Sequence, residues 1–452
     1  MTDGASAGGP EAWVVVDLGF GDSGKGTMTD WLVRAHGAGL VVRFNGGAQA
    51  GHNVVTDDGR HHTFSQLGAG TFVPGVRTHL SEDVVIHPTA LVVEARRLAT
   101  VGVSDALERL TVAPSARVTT PFHQAANRVR ELARGAARHG TCGVGVGETV
   151  RDALADPSGA MRAEDLVGDA GALARKVARA RERLRAAVDE EMRAVVGSPE
   201  AELELGVLTD VTVEARWIAA LAPLRARSLV VDDAALGAML RGARVVLEGA
   251  QGVLLDEHAG FHPHTTWSTC TPGPALALLA RGGFGGRVTR VGVLRTYLTR
   301  HGEGPLPTED AALGRRMPEP HNSAAGWQGA FRVGWPDLVL ARYALARAGG
   351  VDGIALTHVD RLEGSRTWRV ANAYDVQGDA LTRDGLGAVA SLPVGADGDL
   401  AHQERLTRAL TSATPRLRDV PAETVVSTFE DALETRVRWL SSGPSARAKT
   451  VR

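Results

Sequence analysis

A chain of 452 residues with 44% hydrophobic residues and a formal net charge of −2 has room for one large domain or several ordinary ones, and its charge makes no case for binding nucleic acid or an acidic membrane surface. Its two cysteines, Cys142 and Cys270, are far apart and lack CxxC spacing, which excludes a disulfide framework or a zinc site legible in sequence and fits a reducing compartment. The opening MTDGASAGGPEA has no basic-then-apolar signal pattern and no apolar run reaches membrane-span length, so a cytoplasmic protein without membrane partners is expected.

Residues 1–12 read as a flexible N-terminus and residues 13–448 as a single large domain, with the last few residues frayed. WVVVDL (13–18) predicts a strand, TMTDWLVRAH (27–36) a helix, and LVVRF (40–44) a second strand. Residues 171–196 have helical spacing with one charged face. Acidic residues and alanines interrupt its arginines, so it reads as a peripheral, solvent-facing helix rather than a nucleic-acid grip. SLVVD (228–232), RVVLEG (244–249), RVTRVGVL (287–294), GIALTHVD (353–360) and TWRVANAY (367–374) predict further strands. Helical patterns separate most of them, as in DLVLARYALARAG (337–349). This alternation predicts an α/β fold: a P-loop-like, mostly parallel central sheet with helices on both faces and several insertions.

GFGDSGKG (19–26) nearly fits the GxxxxGK[ST] phosphate loop, in which inward backbone N–H groups and a helix N-terminus hold phosphate oxygens while the lysine neutralises charge. Gly21, Ser23, Gly24, Lys25, Gly26 and Thr27 are therefore candidate nucleotide-binding residues. Gly26 stands where Ser or Thr is usual, and Thr27 comes one place late. Asp22 is out of character here, because an acid among phosphate-holding amides repels the ligand. Two roles accommodate it: coordinating a magnesium ion, or acting as a base on a substrate beside the transferred phosphoryl group.

FGDSGKG followed by VVRFNGGAQAGHNVV (41–55) resembles the adenylosuccinate synthetase family, whose members open with Trp-Gly-Asp-Glu-Gly-Lys-Gly and then carry Gly-Gly-x-x-Ala-Gly-His. The resemblance implies that Asp22 takes the N1 proton of IMP and reaches Mg2+. It implies that His52 acts as an acid on the 6-oxygen while GTP phosphorylates it, and that an amine, L-aspartate in the family, then displaces phosphate. Lys25 would serve the phosphates and the Gly51 carbonyl the metal. HGTCGVGVGET (139–149) resembles the loop that holds the IMP phosphate, with Thr141 as the matching residue. LEGAQGVLLDEHAGFHPHTT (247–266) supplies Gln251, also a catalytic candidate, and Thr266; Gln49 joins them on the substrate side. GVLRTYLTRHGEGPLPTE (292–309) is similar to the family's segment beside the active site. ALTHVD (355–360) resembles the guanine-specificity element, Thr-Lys-x-Asp, with Asp360 kept and His358 in place of lysine. SSGPSAR (441–447) resembles the turn closing the base pocket, through Ser442, Gly443 and Pro444. GTP as co-substrate, Mg2+, a purine-like nucleotide with an amine or amino acid, and a homodimer are the implied cofactors and partners.

The match fails in places. The family's aspartate-binding loop carries four arginines, whereas AAGWQGAFRVGW (324–335) keeps only Arg332. Bidentate Arg–carboxylate pairs are hard to replace, so free L-aspartate is a doubtful substrate; Arg315 and Arg316 are the nearby basic residues. Val144 stands where the phosphate loop should carry Arg, and Ser23 where the family has Glu. Arg151 and Arg162 are the candidates for a residue crossing the dimer interface. Alternative readings are a paralogue using another amine or nucleotide, a GTP-dependent small-molecule kinase, and a regulatory GTP-binding protein, against which Gly26 argues. HPHTTWSTC (262–270) and RHHT (60–63) lack metal-ligand spacing, and Cys142 has no base adjacent in sequence.

Overall fold

Six of the seven residues of β1 (Glu11–Asp17) are buried, and they face two ways. Ala12, Val14 and Val16 enter one core with Leu278, Leu338, Tyr343 and Phe429. Trp13 and Val15 enter another with Met28, Leu32 and Val33 of α1 (Lys25–His36). A strand apolar on both faces belongs at the centre of a sheet covered by helices on each side. In this computed structural model, residues 9–319, 327–376, 381 and 387–452 are described.

The other strands are, in order, β2 (Leu40–Arg43), β3 (His52–Val55), β4 (His61–Phe64), β5 (Arg77–Leu80), β6 (Val85–Ile86), β7 (Leu110–Val112), β8 (Arg117–Val118) and β9 (Arg244–Glu248). They continue with β10 (Arg287–Arg295), β11 (Leu298–His301), β12 (Phe331–Gly334), β13 (Gly353–Thr357), β14 (Thr367–Asp375), β15 (Thr414–Pro421), β16 (Val437–Ser441) and β17 (Lys449–Val451). The central sheet runs β17-β16-β13-β10-β1-β9-β2-β5-β7 and is parallel except for the β16–β17 pairing. β3–β4, β11–β12 and β14–β15 form separate antiparallel pairs. The C-terminal ends of β1, β2, β9, β10 and β13 share one edge, where ligands gather in open α/β sheets.

The fold class is as expected, with local differences. Residues 171–196 form two helices, Ala170–Ala187 and Asp189–Val195, broken at the buried Val188. Leu173, Val177, Ala180 and Leu184 pack with Phe122 and Val129 of the helix Pro121–Arg134 into a core of their own. SLVVD is not a strand, since only Val230 bridges Val112. β14 lies outside the central sheet, paired with β15. Glu11 and Ala12 already belong to β1, residues 1–8 fall outside the described chain, and the expected frayed end contains β17.

Candidate active site

The loop between β1 and α1 reverses tightly: Gly21 and Gly24 have φ of 90° and 94°, a region that favours glycine. α1 has no side-chain cap at Gly24, and its first intrahelical bond runs from Met28 N–H to the Gly24 carbonyl. The amides of Lys25, Gly26 and Thr27 thus precede the helical ladder, as an anion-binding helix start requires. The glycine at position 26 has a steric cause. A Cβ there would lie 2.7 Å from His52 Cβ, so β3 approaches the helix start too closely for Ser or Thr.

Gly21, Asp22, Gly24, Lys25, Gly26 and Thr27 line a cavity of about 670 Å³ together with Gln49, Gly51, His52, Gln251, His358, Asp360, Gly443 and Pro444. Sequence regions hundreds of residues apart thereby meet in one space. Asp22, Gln251 and His358 have φ of 57°, 55° and 57°, left-handed values that side-chain-bearing residues rarely adopt. Strain of this kind clusters at functional sites. Buried Oε1 atoms of Gln49 and Gln251 have no hydrogen-bond partner among the described residues, which marks the same wall as awaiting donors.

His52 is buried, and its Nδ1 lies 2.5 Å from Glu248 Oε1. Glu248 Oε2 accepts the Ala69 N–H at 2.9 Å, so the carboxylate is fixed at both oxygens. Burial holds the His52 pKa below the ordinary imidazole value, with Arg43 acting in the same direction and Glu248 opposing. Burial alone would raise Glu248, but the charges of His52 and Arg43 outweigh it and keep its pKa low. His52 therefore rests with Nδ1 engaged by an ionised carboxylate, and Nε2 is the nitrogen left for the cavity.

Asp22 Oδ2 lies 3.3 Å from His301 Nε2. Desolvation would raise the Asp22 pKa, yet contact with His301 and the charges of Lys25 and Arg295 hold it below the usual value. Arg295 donates to the Asp22 carbonyl at 3.0 Å and pairs with Glu319 and Tyr297. Thr357 donates to the Ser23 carbonyl at 2.7 Å, joining the end of β13 to the loop. His358 packs edge-on against Tyr297, and burial, with Arg295, Arg361 and Lys449 nearby, holds its pKa well below the imidazole value. Lys449 ties the C-terminal turn to α1, with Nζ donating to the carbonyls of Gly443 (2.7 Å) and Ser445 (2.9 Å) and to Thr27 Oγ1 (2.5 Å).

Five expected site residues do not line the cavity: Ser23, Thr141, Thr266, Arg332 and Ser442. Ser23 turns inward to Asp17. Thr141 exchanges hydrogen bonds with Asn127, and its loop lies under Trp327, 2.7 Å from where a Cβ on Gly143 would fall. Thr266 donates its N–H to the Leu255 carbonyl. Ser442 bonds back to Ala448. Arg332 donates to the carbonyls of Gly302 (3.0 Å) and Gly304 (2.7 Å) and to Glu309 (2.8 Å), so its guanidinium braces a loop. Arg315 and Arg316 are exposed on the helix Ala311–Arg316, away from the cavity. Ala324, Ala325 and Gly326 lie outside the described residues. Sequence reasoning assigned no role to Asp17, Glu248, Arg295, His301 or Lys449. Asp17 did leave a signal, a charge ending an otherwise apolar strand.

The profile of the adenylosuccinate synthetase family matches residues 14–451, nearly the whole chain. The chain belongs to the adenylosuccinate synthetase family. It is therefore a carbon–nitrogen bond-forming ligase, in a family that uses GTP. It is 35% identical over 382 residues to the adenylosuccinate synthetase of Myxococcus xanthus, covering 81% of this chain and 82% of that one. It is 34% identical over 391 residues to that of Saccharopolyspora erythraea, covering 82% of each. Its fold matches the fully ligated adenylosuccinate synthetase of Plasmodium falciparum with a TM-score of 0.75 at 22% identity, over 97% of this chain and 99% of that one. It also matches the cyanophage S-2L succinoaminodeoxyadenylate synthetase, bound to dGMP and dATP, with a TM-score of 0.57 at 18% identity, over 98% and 95% of the two chains. Family membership argues against the regulatory GTP-binding reading.

Proposed function

We propose that the protein uses GTP to phosphorylate the 6-oxygen of IMP or a related purine nucleotide and then couples an amine at that carbon, releasing GDP and phosphate. One observation carries this reading: Asp22, Lys25, His52 and Gln251 converge on a cavity that Asp360 also lines. Asp22, kept ionised by its neighbours, removes the lactam N–H proton. The 6-oxygen attacks the γ-phosphorus, and His52, held through Nδ1 by Glu248, acts as an acid, donating from a protonated Nε2 to the charge on that oxygen; the Glu248 carboxylate favours this charged form of the ring against the burial that opposes it. Lys25 and the open amides of α1 hold the phosphates, and Asp360 accepts from guanine N1–H and the 2-amino group. The amine then attacks the activated carbon and the phosphate leaves with the bonding pair.

A carboxylate within the phosphate loop, Asp22, suits magnesium, which is held through one or two carboxylates plus substrate phosphates rather than by an all-protein cage. Asp22 and the Gly51 carbonyl would hold it; when bound it spreads charge over the phosphoryl oxygens. A homodimer is the expected assembly.

Engagement of Arg332 by Gly302, Gly304 and Glu309 favours an amine without a second carboxylate over L-aspartate. Phosphate release should be measured with GTP and IMP, GMP or dGMP against a panel of amines, with IMP plus L-aspartate as the reference pair. Release that requires both nucleotide and amine, and vanishes in Asp22→Asn while GTP still binds, is expected. Release without any amine would identify a kinase instead, and normal turnover of the reference pair would remove the altered-amine reading.

A further inference from the structure

Asp17 ends β1 with a carboxylate that is 1% exposed and has no part in the reaction above. Its Oδ1 accepts the Gly19 N–H at 2.8 Å and the Ser23 hydroxyl at 2.9 Å. Its Oδ2 accepts the Ser23 N–H at 3.0 Å and the Lys25 ammonium at 2.9 Å. All four donors belong to the phosphate loop or its lysine. With two donors on each oxygen and almost no exposure, this carboxylate has nothing left to offer a ligand.

It instead governs what the loop offers. The Gly19 and Ser23 amides are turned beneath the loop onto an internal anion, which leaves those of Lys25, Gly26 and Thr27 for an external one. The Lys25 side chain is equally buried, so its ammonium meets the cavity from a position fixed by the carboxylate behind it. Breaking one side of a buried ion pair leaves the other charge uncompensated, so loop shape and lysine position are coupled through this one group.

We infer that Asp17 is the positioning residue of the phosphate-loop lysine, aiming the Lys25 ammonium at the nucleotide phosphates. This rests on the reading of the cavity as a GTP site, and the test separates the two. GTP affinity is measured by calorimetry on the wild type, Asp17→Asn, Lys25→Gln and the double variant, with thermal midpoints recorded in parallel. Asn keeps the size and one acceptor oxygen but puts an amide donor opposite Lys25. Positioning predicts that Asp17→Asn weakens GTP at least tenfold when Lys25 is present and less than threefold in the Lys25→Gln background. Equal effects in the two backgrounds, within threefold, would reduce Asp17 to a fold-stabilising residue and overturn the inference. Failure of the wild type to bind GTP would overturn the nucleotide reading itself and this inference with it.

Should Asp17→Asn not fold, Ser23→Ala serves, because the Ser23 hydroxyl grips Asp17 and does not line the cavity. It should weaken GTP at least threefold and raise the KM for GTP. An affinity changed by less than threefold would sink the proposal.

Discussion

His52 and Glu248, 196 residues apart in sequence, are joined through Nδ1 and Oε1 at 2.5 Å in the buried wall of the cavity. The carboxylate is anchored by the Ala69 amide, so the imidazole is held in one orientation and Nε2 is left for the cavity. Replacing Glu248 with Gln keeps the shape and removes the ionised acceptor. Turnover should fall by roughly 10²-fold, the low end of a positioned acid–base contribution, with GTP affinity unchanged. Steady-state rates alongside calorimetry decide this; turnover within threefold of wild type would show that His52 needs no such partner.

The close approach of Gly26 and His52 yields an unusual expectation. Gly26→Ser restores the ordinary phosphate-loop pattern, yet its Cβ would sit 2.7 Å from His52 Cβ. His52 must then shift, and misplacement of a catalytic group by about 1 Å costs on the order of 10²-fold. Gly26→Ser should therefore lose activity while still binding nucleotide. An active Gly26→Ser enzyme would show that β3 yields freely.

Asp360 also lines the cavity, its Oδ2 3.6 Å from Arg361 Nε. Asp360→Asn presents an amide donor to a base edge that offers only donors. The KM for GTP should rise roughly tenfold to a hundredfold, as one unsatisfied buried polar group implies, and preference for GTP over ITP should collapse. Competition between the two nucleotides measures this directly. Preserved preference would move guanine recognition to another residue.

Asp337 carries a pH signature away from the chemistry. Burial pushes its pKa up to about 6 from 3.8, against hydrogen bonds from Tyr374 and the Leu340 and Val339 amides. Between those two values the folded protein holds a proton that the unfolded chain has lost, so stability falls as pH rises through this window. The full effect, reached above the higher value, is about 3 kcal/mol for a displacement from 3.8 to about 6. Asp337→Asn keeps an oxygen for the Val339 and Leu340 amides, both now at 3.1 Å, and cannot ionise. Its stability relative to wild type should increase from pH 4 to pH 7 in denaturant titrations. A pH-independent difference would place the Asp337 pKa near its ordinary value.

What could be read from sequence was local. The loop at residues 19–26 and the segments around His52, Gln251 and Asp360 each lie within a few residues of a strand end, where pattern and position coincide. Alternation of apolar strands with helices was likewise visible in β1, β9, β10 and β13. β5 was hidden because RTHL buries Thr78 and His79 as well as Leu80, so its apolar signal is weak. The helix break at Val188 was hidden because it answers to packing against another core. The partners of the expected residues were mostly illegible. Glu248 stood inside a recognised stretch, but only the fold brings it to His52, and the same holds for His301 beside Asp22 and Lys449 beside Thr27. Ser23 and Arg332 show the converse: each lies in a matched segment, yet each side chain is directed to a neighbouring part of the chain.

The left-handed backbone at Asp22, Gln251 and His358 limits how this catalyst can be altered. Glycine alone would occupy such positions without penalty, so each side chain there persists against a local cost of about 1–3 kcal/mol. Random mutagenesis screened for thermal resistance will drift toward emptying these three positions and will harvest robust, silent proteins. A search for new amine substrates should hold all three constant and diversify the antiparallel β11–β12 pair instead.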